Sequence, residues 1–307
     1  MPSFSCIIED SLPEDLRLDR YVSEYLKLFS RSQIKTRKLE AILNGKPVKK
    51  SRLLKKRDFL ELSWEEEEMP LLLPQNLPLD VIYEDKKVIV VNKAQGMVVH
   101  PGAGNRQGTL ANALLFRMLE RMNNSSDPPD PINGLRPGIV HRLDKDTSGV
   151  LIAAWDDKTL AFLSDQFRAR KVRKSYAAIV QGCPGEAIGT IEKNIVRSVK
   201  DRKTFTVSDT SGRQSITHYK LIRRCGNYSL LLLRPKTGRT HQIRVHLRFL
   251  GNPILGDTIY GRPDRRFGNA TLMLHAKSLS LVLPGNENMM TFKTLLPLRF
   301  RELLRVL

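Results

Sequence analysis

Two short apolar runs rich in β-branched residues, Ile139-Val140 and Val150-Leu151-Ile152-Ala153-Ala154, bracket a charged insert running from His141 to Gly149. Runs of that length and composition predict buried strands. The insert sets two acids, two bases and a histidine between them, as His141-Arg142-Leu143-Asp144-Lys145-Asp146. A chain that interrupts its own core this way builds either a solvated hairpin or a loop in which the scaffold holds chemistry. Similar runs recur at Val81-Ile82-Tyr83, Val88-Ile89-Val90-Val91, Ala177-Ala178-Ile179-Val180 and Leu230 to Leu233. Between them lie stretches of helical spacing: Leu110 to Met122, Leu160 to Phe167, and a segment burying Ile243, Leu247 and Leu250. The expected fold class is therefore α+β, a mixed and mostly antiparallel sheet with flanking helices.

Charge decides the class of partner. Lys and Arg number 51 against 32 Asp and Glu, a formal net charge of +19. An excess of that size, dispersed along the chain, calls for a polyanion, with nucleic acid first and an anionic membrane second. No apolar run of about 18 residues and no signal-peptide pattern is present, so a cytoplasmic protein without membrane attachment is expected. Cys6, Cys183 and Cys225 are scattered and the six histidines show no zinc spacing. Reduced cysteines and chemistry without metal or cofactor are the expectation.

Residues Leu16 to Ser63 read as a separate basic unit. Leu18, Tyr21, Val22, Tyr25, Leu26 and Phe29 recur at helical spacing; Ser30 caps a second helix carrying Arg31, Lys35, Arg37 and Lys38; Asn44-Gly45 marks a tight turn before a last strand at Phe59. Helix, basic helix and Asn-Gly hairpin together resemble the alpha-L (S-four-type) RNA-binding domain, although the glycine usual between helix and hairpin is absent near Leu39-Glu40-Ala41. The resemblance implies that Arg31, Lys35 and Arg37 meet RNA. The acidic, proline-rich stretch after Trp64 predicts a semi-rigid linker. The expected domains are 1–64 (RNA-binding), 65–78 (linker) and 79–307 (catalytic).

Within the large domain, three motifs follow one another. Asn92-Lys93-Ala94-Gln95-Gly96 precedes His100-Pro101; His141-Arg142-Leu143-Asp144 leads to Thr147-Ser148-Gly149; Thr237-Gly238-Arg239-Thr240-His241-Gln242-Ile243-Arg244 is completed by Gly256-Asp257 and Tyr260-Gly261. Between the last two stands Lys174-Ser175-Tyr176. In order and spacing these resemble the RluA-type pseudouridine synthases from about Leu79 to the end, with Ala94 where the family has proline. The resemblance implies isomerisation of uridine to pseudouridine in RNA, most often large-subunit ribosomal RNA; a monomer is expected.

It also implies roles. Asp144 is the catalytic carboxylate, acting as a nucleophile at C1′ or as a base at C2′. Arg244 pairs with it, and Arg239 is the alternative partner. Tyr176 lies against the target base. Arg142, two residues before Asp144 on an extended chain, faces the same side and is suited to fill the gap left by a flipped uridine. Lys174 belongs to a basic run of five residues beginning at Arg168, more than a helix dipole requires, which suggests a phosphate track. Ile243 and Leu247 are the aliphatic neighbours expected to line the base, and His141 is read as a hydrogen-bonder beside the substrate. Two other readings stand beside this one: a tRNA substrate, and a non-catalytic RNA-binding or ribosome-assembly protein. A glycosidase would need two opposed carboxylates, and the motifs offer no clear pair.

Overall fold

A computed structural model describes residues 2–10, 12–13, 15–29, 33–34, 37–65, 72–102, 104–124, 137–199, 201 and 204–307. The chain divides into two compact units, Met1–Leu71 and Leu72–Leu307.

Unit 1 pairs four strands in the order β1-β4-β2-β3, all antiparallel: β1 (Ser3–Ile7), β2 (Glu40–Leu43), β3 (Lys46–Pro47) and β4 (Phe59–Ser63). Asn44 and Gly45 both take left-handed backbone angles, as a two-residue hairpin turn demands. The Asn44 side chain also accepts the Phe59 N–H at 2.7 Å, tying the turn to β4. Alternation in Phe59–Ser63 buries Leu60 and Leu62 against Leu18 and Val22. The helix expected from Leu18 is short. Three α residues (Leu18–Arg20) pass into a π-helical segment, Tyr21–Tyr25, and Tyr25 ends up exposed. Helical spacing reports which face is apolar, not how many turns form. Of the predicted basic helix, Arg31 and Lys35 fall outside the described residues. Arg37 is described, with its guanidinium 4.8 Å from the Phe29 ring centre.

Unit 2 is an α+β body around one sheet. Its strands are β5 (Val81–Glu84), β6 (Val88–Lys93), β7 (Gly138–Ile139), β8 (Ser148–Ala154), β9 (Arg173–Gln181), β10 (Ile188–Arg197), β11 (Phe205–Ser208), β12 (Arg213–Cys225), β13 (Tyr228–Pro235), β14 (Leu274–Val282) and β15 (Met289–Lys293). The order is β11-β10-β12-β13-β9-β14-β8-β6-β5, with β7 on β8 and β15 on β14. All described pairings are antiparallel except β8 with β14, where His275 faces Ser148 and Ala276 faces Gly149. Gly149 has φ 121°, and a Cβ there would lie 2.2 Å from the Ala276 carbonyl oxygen, so only glycine fits this seam. Flanking helices are Leu110–Asn124, Asp157–Arg168, Gln242–Phe249 and Leu298–Val306. Asp156 caps the second by accepting the Thr159 N–H at 2.8 Å.

Part of the stretch read as linker is fastened to unit 2. The Asn112 amide donates to the Leu73 carbonyl at 2.8 Å, and Gln75 accepts the Gly108 N–H at 2.7 Å. Proline spacing shows stiffness but not what a stiff segment lies on. No helix among the described residues is long and apolar enough to cross a membrane.

Candidate active site

The insert between β7 and β8 opens onto a cleft of about 550 Å³. Leu143 points into the core while Arg142 and Asp144 on either side of it line the cleft, as alternation on an extended chain requires. Several groups hold this loop from behind. The Thr147 N–H donates to the Asp144 carbonyl at 3.1 Å and tightens the turn. Lys93, only 2% exposed, donates from Nζ to the carbonyls of Met97 (2.7 Å), Ala94 (2.9 Å) and Lys145 (3.1 Å). Burial lowers its pKa to about 8, and the nearby carboxylates of Asp146 and Asp144 work against that shift. Gln95 donates to the Asp146 and Leu272 carbonyls at 3.0 Å each. The loop between β6 and the helix Leu110–Asn124 is thus a clamp on the Asp144 loop.

His141 supports the same loop. Its Nε2 accepts the Ile152 N–H at 3.1 Å, and its ring stacks on Phe167 at 4.7 Å between centres. Burial, with Lys174 adding to it, pushes its pKa down to about 3, so the ring is neutral and acts as an acceptor. At the other end of the loop, Ser148 Oγ lies 2.9 Å from His275 Nδ1 and accepts from Arg299 at 2.7 Å.

The facing wall comes from β9 and the segment leading into the helix Gln242–Phe249. It presents Lys174, Tyr176, Arg239, Ile243 and Arg244. Burial, reinforced by Asp144, drives the Tyr176 phenol up, so it stays protonated. Burial lowers Lys174. Leu247 does not reach the cleft: it is wholly buried in the core behind the helix. Helical spacing put Ile243 and Leu247 on one face, yet only the first turn of that helix borders the cavity.

Arg244, 5% exposed, has two acidic neighbours of unequal weight. Its Nε and Nη2 make paired 2.7 Å bonds to Asp257, while Nη1 lies 3.5 Å from Asp144 Oδ2. The pairing to Asp257 is bidentate; the approach to Asp144 is an ion pair at longer range. Burial raises the Asp257 pKa, but the hydrogen bonds and charge of Arg244, with the N–H groups of Tyr260 and Ile259, outweigh it and hold the carboxyl below its ordinary value. Gly256 (φ 74°) shapes the turn that aims Asp257, and a Cβ there would sit 2.3 Å from the Thr271 carbonyl oxygen. The sequence reading gave Arg244 one partner. The structure gives it an anchor and a target.

Eight of the predicted residues therefore line one cleft: His141, Arg142, Asp144, Lys174, Tyr176, Arg239, Ile243 and Arg244. Among the described residues Asp144 is the sole acid lining it. Lys93, His241, Asp257 and Tyr260 had been given no role. All four stand within the motifs, so the signal was present, but what each touches is not written in spacing. A single carboxylate among cations can act as a nucleophile or a base on a substrate whose negative charge those cations hold.

A family model described as RNA pseudouridylate synthase matches residues 87–249. Ribosomal large subunit pseudouridine synthase D of Borreliella burgdorferi is 44% identical over 291 residues, spanning 93% of this chain and 87% of the relative. The protein of the same name from Buchnera aphidicola is 36% identical, over 94% and 93%. The solved structure of human RNA pseudouridylate synthase domain containing 4 superposes with TM-score 0.59 at 28% identity, covering 73% of this chain and 91% of that one.

Proposed function

On the premise that this chain belongs to the RluA-type RNA pseudouridine synthases and isomerises uridine to pseudouridine in RNA, we propose that its substrate is large-subunit ribosomal RNA and that Asp144 is the catalytic carboxylate. Relatives named for the ribosomal large subunit support the substrate. The observation that carries the catalytic assignment is Asp144 as the lone acid among the described residues lining a cationic cleft, with Arg244 3.5 Å away and itself fixed by Asp257.

The reaction breaks the bond between N1 and C1′, turns the base and rejoins it through C5, which gives up its proton while N1 gains one. One ionised carboxylate suffices, whether it attacks C1′ or removes the 2′ proton. Arg244, 3.5 Å away, aims it. Tyr176, a neutral phenol, packs on the extruded base, with Ile243 on the apolar side. Arg142 takes the place the uridine vacates, which offsets an unstacking cost of a few kcal/mol. Lys174 and Arg239 hold phosphate. The unit Met1–Leu71 is an alpha-L type arm that adds contacts to long RNA. The enzyme works as a cytoplasmic monomer.

Mapping pseudouridines in ribosomal and transfer RNA of cells with and without the gene tests the substrate. Loss confined to large-subunit RNA is expected, and loss confined to tRNA would replace this reading with a tRNA-modifying one. Sedimentation of the purified enzyme, with and without RNA, checks the monomer.

A further inference from the structure

His241 stands beside Asp144 in an uncommon posture. It precedes the helix Gln242–Phe249 with a left-handed backbone, φ 56° and ψ 16°, and its side chain makes no capping bond. Non-glycine residues reach that conformation at a cost, and it persists where the surroundings over-determine it. Here the imidazole is fixed on several sides. Nδ1 lies 2.8 Å from the Tyr260 hydroxyl, and the rings of Phe205 and Tyr260 meet it edge-on at 5.8 and 5.5 Å. Nε2 points at Asp144 Oδ2, 3.9 Å away.

The tautomer follows from hydrogen-bond accounting. Tyr260 is 2% exposed, and its hydroxyl oxygen already accepts the Phe205 N–H at 3.0 Å. If Nδ1 carried the proton and donated to that oxygen, the hydroxyl's own hydrogen would be left buried without a partner, which is costly. The satisfied arrangement has the hydroxyl donating to Nδ1. The single imidazole proton then sits on Nε2, facing the carboxylate. We propose that His241 is a positioning residue for Asp144, its Nε2–H aimed by the Tyr260 hydroxyl so that it and Arg244 Nη1 share Oδ2 and turn Oδ1 toward the ribose.

The inference rests on Asp144 being the catalytic carboxylate. Burial lowers the affinity of His241 for a second proton; Arg244 and Arg142 add to this, while Asp144 and Asp257 oppose it. Among the described residues these are the charged groups that bear on the ring, which serves as a neutral donor beside a carboxylate. A gap of 3.9 Å exceeds a hydrogen bond, and such contacts shorten when substrate fills a site.

Imidazole nitrogen NMR of the full-length protein, labelled at its six histidines, reads the tautomer directly, and the spectrum of His241→Gln identifies the resonance. A neutral Nε2–H form at pH 7 is expected, giving way to a tautomer mixture in Tyr260→Phe. An Nδ1–H or doubly protonated ring at pH 7 would overturn the proposal. Single-turnover rates supply the second readout. His241→Ala is expected to slow the chemical step about 10–100-fold, the range of a lost hydrogen bond to a charged group, with RNA affinity unchanged. His241→Gln, which keeps an uncharged N–H, should recover most of that loss. Alanine within twofold of wild type, or glutamine as slow as alanine, sinks the positioning role. Asp144→Asn run in parallel separates the two failures: if that variant stays active, the catalytic assignment itself is wrong, whatever the tautomer.

Discussion

The two units differ in the charge they bury. In Met1–Leu71 the ion pairs lie open to solvent: Arg20 with Glu24, Lys38 with Glu65, Arg57 with Asp10. In Leu72–Leu307 the chain buries Lys93, Arg244, Asp257, His246 and His275, and all six histidines of the sequence lie there. The balance differs too. Residues 1–71 hold 14 Lys and Arg against 13 Asp and Glu, a net of +1, which leaves +18 of the +19 to residues 72–307. Exposed pairs exchange one solvated partner for another and contribute little. Buried charges must be matched or they destabilise the fold, so a chain keeps them where they do something. The contrast assigns the buried charge, and with it the chemistry, to the larger unit.

The largest expected effect tests that assignment at its centre. Asp144→Asn should lower the single-turnover rate by about 10²–10⁴-fold or more while RNA affinity survives. A rate within tenfold of wild type would refute it. Next comes the anchor. Asp257→Asn strands the buried Arg244 guanidinium, at a cost of about 3–5 kcal/mol in unfolding free energy, and it loosens the aim on Asp144. Glu24→Gln in the small unit should leave stability unchanged within error. Equal destabilisation by the two in denaturant titrations would erase the difference between the units.

Acid should separate the units as well. Burial lowers His246 and His275 to about 4 each, and His141 to about 3, below the ordinary unfolded value of about 6.5. Between those values the unfolded chain binds protons that the folded one does not. Stability is therefore fully present above pH 6.5 and falls as pH drops toward 4, by up to roughly 3 kcal/mol for each of the two fully buried rings. Urea midpoints at pH 7 and pH 5, read from probes in each unit, should move for the large unit only.

How much of this was legible in sequence depends on the kind of contact. Strands declared themselves where β-branched runs are buried on both faces, as in β6 and β8. Ser3–Ile7 escaped because its alternating small and apolar residues are ordinary in a loop. Asp144 was visible because a motif surrounds it. The Arg244–Asp257 pair was not, since the two stand 13 residues apart and nothing in spacing says that a helix and a glycine turn meet. Lys93 stood in a motif without a role; only the three carbonyls around it show what it holds.

The smaller effects sharpen the division further. Arg142→Ala should slow a folded RNA more than a short unstructured one, because only the former must be unstacked; equal slowing would make Arg142 a phosphate contact. Removing residues 1–71 should weaken binding to long RNA. Removal should flatten the dependence of log affinity on log salt by about 0.7–0.9 for each phosphate contact that the unit supplies. A drop of half the slope or more would place the main RNA grip in the small unit.

The seam between β8 and β14 has a consequence for the order of assembly. About 120 residues of chain separate the end of β8 from the start of β14, and at roughly 5–20 residues per second synthesis takes on the order of 6–24 seconds to cross them. During that interval the Asp144 loop exists without the strand that seats Gly149 or the His275 and Arg299 groups that hold Ser148. Closure over so long a separation comes late in folding. A nascent chain therefore carries its cleft unfinished, and the chemistry waits on β14 and the residues that follow it.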